Sequence, residues 1–576
     1  MSGPMPAVTA DRSLSQRVVV PAALYLLVFF LLNPHLLEQF STHYFFGGLD
    51  GFQNVWNIWW VDQSVGANGR LPWWTTMLHY PYGTTLIGHT LNPFNGLLGI
   101  VLLKFLTMVQ TYNTIVTFSF VMGGVTAFWL CDYVVASYAG SLIGGAVFTF
   151  SSFHFMHADS HLQIVALEWL PLFVLLWIRF CERPTSLGGF GAAMALFLVI
   201  LCDVYYFSYC VFTGLLFAAW MARQRRDLWF LCRPATWRPF CAFLIPAALT
   251  SGAVIGTLIV QNATDPLLGT HSPRALAMDL LSPFVWGYFS RFRDVAEPLW
   301  RPLSPYVTQS SVYVGLTVVG MAIYGWRQRV RLPIPYLGFW CLMGGFFFVM
   351  ALGPNLHVAG TEISLGLRRT IMGHPDVNLL VLPYGILWFL FPPWRLAGVP
   401  FLLMVMVQLV AAVLAAAGIR AWLASTSKWR SGIFGAWLVL FTIDFLPTPM
   451  ATSQPQIPDY VAELSRLPDG AVLDLVSPAA PTLWYQTIHQ KPIAFGYISR
   501  TPTSVDRADL ALAGLIVAGA WERVAYDFHF RYIVWRDHAA DVMVRGLNGA
   551  PLAEIDAARR IYNHDGVSIY EFPPAP

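Results

Sequence analysis

Acids are scarce in this chain, so the position of each one is informative. Asp50 ends the stretch His43-Tyr44-Phe45-Phe46-Gly47-Gly48-Leu49-Asp50, just past the first long apolar run. A carboxylate held at the edge of a bilayer can accept the proton of a hydroxyl that attacks a lipid-borne substrate, the task of a general base. The plainer role for Asp50 is to cap a helix beginning near Gly51. Behind it, 52–60 (FQNVWNIWW) is aromatic-rich and amphipathic, a pattern expected to lie along a membrane surface.

A second cluster, His154, His157, Asp159, Ser160 and His161, precedes another apolar run. His157 and His161 stand four apart, on one face of a helix, and can bind a divalent metal or a phosphate. Asp159 and Ser160 are also natural helix caps. Glu168 lies inside the next apolar run, where an acid is either functional or paired with another helix; Lys104, one of only three lysines, is the candidate partner. Asp203, Tyr205 and Tyr206 interrupt a long uncharged stretch, read as a hairpin turn or as tyrosines flanking a lipid or sugar. Arg395, in Pro392-Pro393-Trp394-Arg395 and preceded by Arg368, Arg369 and His374, offers a fork suited to phosphate. Trp-Arg at a membrane boundary is equally an ordinary anchor.

These residues need a frame, and the composition says which kind. Of 576 residues, 56% are hydrophobic and 11% charged, with mean hydropathy +0.56, against roughly a quarter charged in soluble domains. The chain reads as an α-helical polytopic membrane protein. Its Arg clusters lie in short loops between apolar runs, where topology explains them, so no nucleic-acid partner is expected. The seven Cys lie in or beside apolar runs and imply no disulfide framework.

Arg12 and Arg17 ahead of 18–32, with no small-residue cleavage site, predict an uncleaved signal anchor and a cytoplasmic N-terminus. Further apolar runs fall near 93–109, 112–131, 139–152, 162–180, 188–202, 205–221, 240–261, 310–326, 334–352, 380–391, 399–422 and 431–446, and a span needs about 20 residues. The basic loops 179–183, 223–238, 327–331 and 428–430 are expected inside, leaving 261–309, 353–383 and the tail outside. An odd number of crossings must then separate the first outer loop from 179–183. The short, Gly- and Ser-rich run 139–152 is therefore expected to be re-entrant or half-length, and 380–391 is demoted likewise. About eleven spans, plus surface and partial helices, make a transmembrane domain over 1–450. After Gln454 the composition shifts, with 24 of the 65 charged residues. This predicts a small extracytoplasmic α/β domain over 455–576, with strands at 471–476, 532–535 and 567–572 and helices at 458–467, 507–517 and 538–547.

Some chemistries are absent. No Gly-Lys dipeptide occurs, so there is no Walker phosphate loop, and no His-Glu-x-x-His zinc-protease motif is present.

The motif Gly48-Leu49-Asp50-Gly51-Phe52-x-Asn54-x-Trp56, the segment Tyr80-Pro81-Tyr82-Gly83 and the His/Asp loop resemble the GT-C superfamily of membrane glycosyltransferases. So do Leu352-Gly353-Pro354, Pro393-Trp394-Arg395 and Phe495-Gly496-Tyr497-Ile498-Ser499-Arg500, particularly as found in a bacterial branch with a short C-terminal outer domain. The resemblance covers most of the chain. It implies a GT-C-like fold in the cell membrane and an inverting transfer of a hexosyl or pentosyl group from a polyprenyl-phosphate donor to an outer glycan or lipid acceptor. It also implies Asp50 as base, Asp159 as the second-loop acid and Arg395 on the donor phosphate, with Asn54, His157, His161, Asp203 and Tyr205 expected to bind substrate. The commonest family pattern has a second acid in the first loop; here Gly51 follows Asp50 and the next acid is Asp62. A divalent metal would have to draw on Asp50, His157, Asp159 and His161. Two other classes compete. A transporter or flippase of lipid-linked substrates needs charges at mid-bilayer, for which Glu168 and Lys104 are the candidates; a non-catalytic envelope-assembly protein would use its outer domain to bind a partner.

Overall fold

The computed structural model describes residues 12–363, 382–426, 429–536, 547, 554–556 and 558–572. Arg368, Arg369, His374 and all but the last residue of the helix expected at 538–547 lie outside the described residues. The chain folds as two compact units: Met1–Gln39, Thr114–Ala253 and Thr270–Ala451 form the first, and Phe40–Asn113, Val254–Gly269 and Thr452–Pro576 the second.

This is a multi-pass membrane protein. Among the described residues seven helices are long and apolar enough to cross a bilayer: Ser15–Leu32, Met108–Val135, Leu162–Glu182, Val204–Arg225, Trp237–Thr264, Val307–Arg327 and Pro400–Leu423. Tyr138–Thr149 and Ser152–Ala158 form a pair bent by 42°, and Pro93–Leu102, Ser186–Cys202, Leu337–Ala351 and Ser431–Asp444 are shorter apolar helices. The run at 93–109 yields only ten helical residues, half of what a span requires. Asn92 accepts from Asn95 N at 3.0 Å and Pro93 takes the first position, which starts this helix abruptly.

Within the first unit, small residues let helix backbones approach closely. A Cβ added at Gly144 would stand 3.1 Å from Ala412 O, and one at Gly418 2.1 Å from Met321 O. That is how membrane helices associate when lipid supplies no hydrophobic drive between them.

The second unit carries a four-stranded sheet, β1 (Ala471–Asp474), β2 (Phe530–Arg536), β3 (Arg559–His564) and β4 (Val567–Glu571), in the order β1-β2-β4-β3. β1 runs parallel to β2, and β4 is antiparallel to both of its neighbours. β1 ends two residues earlier than expected because Asp474 Oδ1 accepts from Val476 N and Ser477 N, both at 2.9 Å, turning the chain. β3 escaped sequence detection because it is a polar, largely exposed edge strand. The Ala479–His489 helix also escaped, starting after Pro478 with no charge in its first turn.

The stretch behind Asp50 does not lie on a surface. The Asp50–Val61 helix buries Gln53, Asn54, Val55, Trp56, Asn57, Ile58 and Trp59, so both its faces are covered. Trp56 stacks on Trp60 at 5.8 Å and donates Nε1 to Gln486 Oε1 at 2.7 Å, while Phe52 stacks on Trp484 at 5.5 Å. Its amphipathic pattern is that of a helix whose polar face is also used inside the protein.

Candidate active site

Asp50 is the first residue of its helix, with Leu49 at the cap position and no side-chain capping bond. The carboxylate is half-buried, and Oδ1 accepts from the Tyr497 hydroxyl at 2.7 Å. Burial and the neighbouring Asp50 together push the Tyr497 phenol up, so it stays a donor. Gly51 is required by packing: a Cβ there would lie 2.2 Å from the Phe46 ring.

A buried polar network fixes the loop that carries Tyr497. Gln53 Nε2 donates to Tyr497 O at 2.8 Å, Thr90 Oγ1 donates to Gln53 Oε1 at 3.2 Å, and Asn57 Nδ2 donates to Thr90 O at 2.9 Å. His89 Nδ1 accepts from Ser499 N at 3.1 Å, so Nε2 carries the proton toward Asn57 Oδ1 at 2.9 Å. Burial lowers the His89 pKa to about 3, keeping the ring neutral. Asn54 Nδ2 donates to Asp50 O at 3.0 Å. Sequence reasoning missed Gln53, His89 and Tyr497 as site residues, although the motif 495–500 was conspicuous.

The His cluster, in the first unit, is built differently. His154 is fully buried, with Nδ1 2.7 Å from Thr149 O and Nε2 2.9 Å from Val165 O, and its ring stacks on Phe120 at 3.8 Å. His157 is buried among Phe153, Phe401 and His161, the two histidine rings 5.4 Å apart, and neither of its nitrogens has a hydrogen-bond partner. Asp159 is half-buried and closes the Ser152–Ala158 helix; His161 precedes the Leu162–Val165 turn without a side-chain cap. Among the described residues, the one group of three or more carboxylate, His or Cys ligand atoms within 4.8 Å is Asp459, His564 and Asp565, all exposed. Within the first unit, His157, Asp159 and His161 form no such group of three.

Glu168 is fully buried and accepts at Oε2 from Ser119 Oγ at 2.7 Å, while exposed Lys104 lies in the field of Asp62; the expected Glu168–Lys104 pair is replaced by these separate partners. Asp203 is a helix cap, accepting from Tyr205 N at 2.7 Å and Tyr206 N at 3.3 Å. The Tyr205 hydroxyl donates to Leu396 O at 3.3 Å and that of Tyr206 to Ile164 O at 2.6 Å, so these tyrosines serve the protein backbone. Exposed Arg395 reaches back to Trp388 O at 3.3 Å and Phe389 O at 3.4 Å at the end of the Pro383–Leu390 helix.

No protein-family profile matches this chain, and no curated protein sequence does. Among solved structures, the arabinofuranosyltransferase AftD from Mycobacteria superposes with TM-score 0.56 at 14% identity, over 98% of this chain and 42% of that one. The chain thus spans less than half the length of that protein. The Archaeoglobus fulgidus oligosaccharyltransferase follows at TM-score 0.49 and 10% identity, covering 91% of this chain and 70% of that one. ArnT from Cupriavidus metallidurans, bound to undecaprenyl phosphate, gives 0.41 at 11% identity, covering 97% of this chain and 98% of that one. The fold is carried by the first of these likenesses: over 98% of its length this chain folds like that arabinofuranosyltransferase.

Proposed function

We propose that this protein is a membrane glycosyltransferase that moves a sugar from a polyprenyl-phosphate-linked donor to an extracytoplasmic glycan or lipid acceptor. The observation that carries the reading is Asp50, a half-buried carboxylate at the start of a buried helix, with one oxygen held by Tyr497 at 2.7 Å. In the proposed step Asp50 takes the proton of the acceptor hydroxyl as its oxygen bonds to the anomeric carbon. The bond from that carbon to the donor phosphate breaks, and the polyprenyl phosphate leaves with the electron pair. Exposed Arg395 is assigned to the donor phosphate, which a planar guanidinium can hold by two bonds. No step is routed through a metal. The proposed topology has the N-terminus in the cytoplasm and 452–576 outside. The charge pattern demands one non-crossing run before 179–183; this reading gives that part to the ten-residue Pro93–Leu102 helix in place of 139–152, whose bent pair then crosses as one broken span.

The test is sugar transfer from a polyprenyl-phosphate donor by the full chain in lipid nanodiscs. Asp50→Asn is expected to fold normally and lose transfer by about a hundredfold or more. Tyr497→Phe, which frees the carboxylate but leaves it in place, is expected to lose about tenfold, the worth of one charge-assisted hydrogen bond. Near-normal transfer by Asp50→Asn ends this reading.

A further inference from the structure

The second unit encloses a cavity of about 220 Å3 walled in part by His79, Asp474, Asp506, Asp509, Gly496 and Tyr497. Its charged chemistry is one-sided. Three carboxylates line it, and its lining residues include no Lys or Arg. Asp506 and Asp509 stand three apart on the Thr503–Val517 helix and so share a face.

His79 is the informative residue. Its ring is 4% exposed, Nδ1 lies 2.9 Å from Asp509 Oδ2, and Nε2 has no hydrogen-bond partner. A carboxylate on Nδ1 holds the proton there and leaves Nε2 with its lone pair, a buried acceptor without a donor. Its backbone is left-handed, φ 53°, which fixes where the ring stands. A Cβ at residue 496 would lie 2.9 Å from Nε2, so only glycine lets this stretch of the cavity wall approach that nitrogen. A buried acceptor left unpaired is unfavourable, which a donor group from a ligand would offset.

We propose that this cavity is a subsite for one hydroxyl-bearing sugar ring of the acceptor, with His79 Nε2 accepting from a ring hydroxyl. The proposal rests on the transfer reading above and adds where the acceptor is held. Carboxylates and a lone-pair nitrogen take O–H donors and repel phosphate, which separates this site from that of the donor. The volume falls short of the roughly 300–1,000 Å3 of pockets for drug-sized ligands, and suits a single ring. A metal is disfavoured, because the cavity's acids and His79 do not bring three ligand atoms within 4.8 Å of one another. Tyr497 lines the cavity and donates to Asp50, so a ring seated here is next to the proposed base.

The test is titration of the full chain in nanodiscs with methyl glycosides of glucose, mannose, galactose and arabinofuranose, and separately with inorganic phosphate. At least one glycoside is expected to bind the unmodified protein and to bind about tenfold more weakly to His79→Phe and to Gly496→Ala, while phosphate does not compete. Should His79→Phe fail to fold, Gly496→Ala, which adds one methyl beside Nε2, decides. Absence of glycoside binding, equal affinity in the variants, or competition by phosphate overturns the proposal. Asp50→Asn separates the two readings, since it is expected to keep glycoside binding while losing transfer. If it keeps both, the transfer reading fails and the sugar site stands; if transfer is lost but no glycoside binds the unmodified protein, the sugar site alone fails.

Discussion

The segment around Asp50 and the segment from His154 to His161 carry the same kind of sequence signal, polar residues beside an apolar run, and they fold to different ends. In the first, polar side chains hold one another: Gln53, Asn57, Thr90 and His89 form a network whose product is Tyr497 set on a half-buried carboxylate. In the second, His154 sets its ring between two backbone carbonyls, each within hydrogen-bond distance of a ring nitrogen, so that its one N–H serves one of them, and His157 is packed among rings. Backbone at a helix break in lipid must be satisfied by something, and His154 does this where the Tyr138–Thr149 helix gives way to the next. Chemistry-bearing residue types therefore mark two different needs in a membrane protein: on the proposed function the first segment serves the reaction, and the second serves the backbone.

The largest effect should separate the two regions outright. Asp50→Asn is expected to remove at least about a hundredfold of transfer with no loss of thermal stability. His154→Ala is expected to do the opposite. It leaves a carbonyl without its donor and a cavity beside Phe120, costing about 2–4 kcal/mol, while transfer per folded molecule stays near normal. Thermal unfolding in detergent and transfer normalised to folded protein read both. An unstable Asp50→Asn or a stable, inactive His154→Ala would reverse the roles assigned to the regions.

The next effect concerns pH. His89 and His489, both in the second unit, are held neutral by burial, each with pKa lowered to about 3. In the unfolded chain they titrate near pH ~6.5. Between those values the unfolded state binds protons that the folded state does not, so stability is intact above about pH 6.5 and falls as pH drops below it. Each histidine contributes a slope of ~1.4 kcal/mol per pH unit. Unfolding midpoints between pH 7 and 5 should therefore fall, and less steeply in His89→Gln; an unchanged slope would mean His89 is protonated in the folded protein and the network around Tyr497 is arranged otherwise.

The membrane class and the strand cores of the sheet were legible in the sequence because they rest on composition and alternation. What the sequence hid was burial. The Asp50–Val61 helix and a membrane-surface helix share one pattern of aromatics, and nothing local tells whether Gln486 or a lipid headgroup meets Trp56. Tyr497 is 447 residues from Asp50, so their contact has no signature in spacing. The run at 93–109 looked long enough to be a span because its apolar residues continue past Leu102, where the helix stops.

The smallest effect probes a residue on the boundary between the two kinds of use. Asp203 was expected beside substrate, and in the structure it caps the Val204–Arg225 helix through two backbone N–H groups. Asn caps about as well as Asp, whereas Ala forfeits about 1 kcal/mol. If capping is its whole task, Asp203→Asn should match the unmodified protein in unfolding midpoint and in transfer, and Asp203→Ala should lose stability alone. The negative charge is what the Asn variant removes, and a cap does not need it. Stable Asp203→Asn with transfer reduced tenfold would therefore move Asp203 out of the structural class and place a substrate-facing acid in the first unit, narrowing the contrast between the two regions.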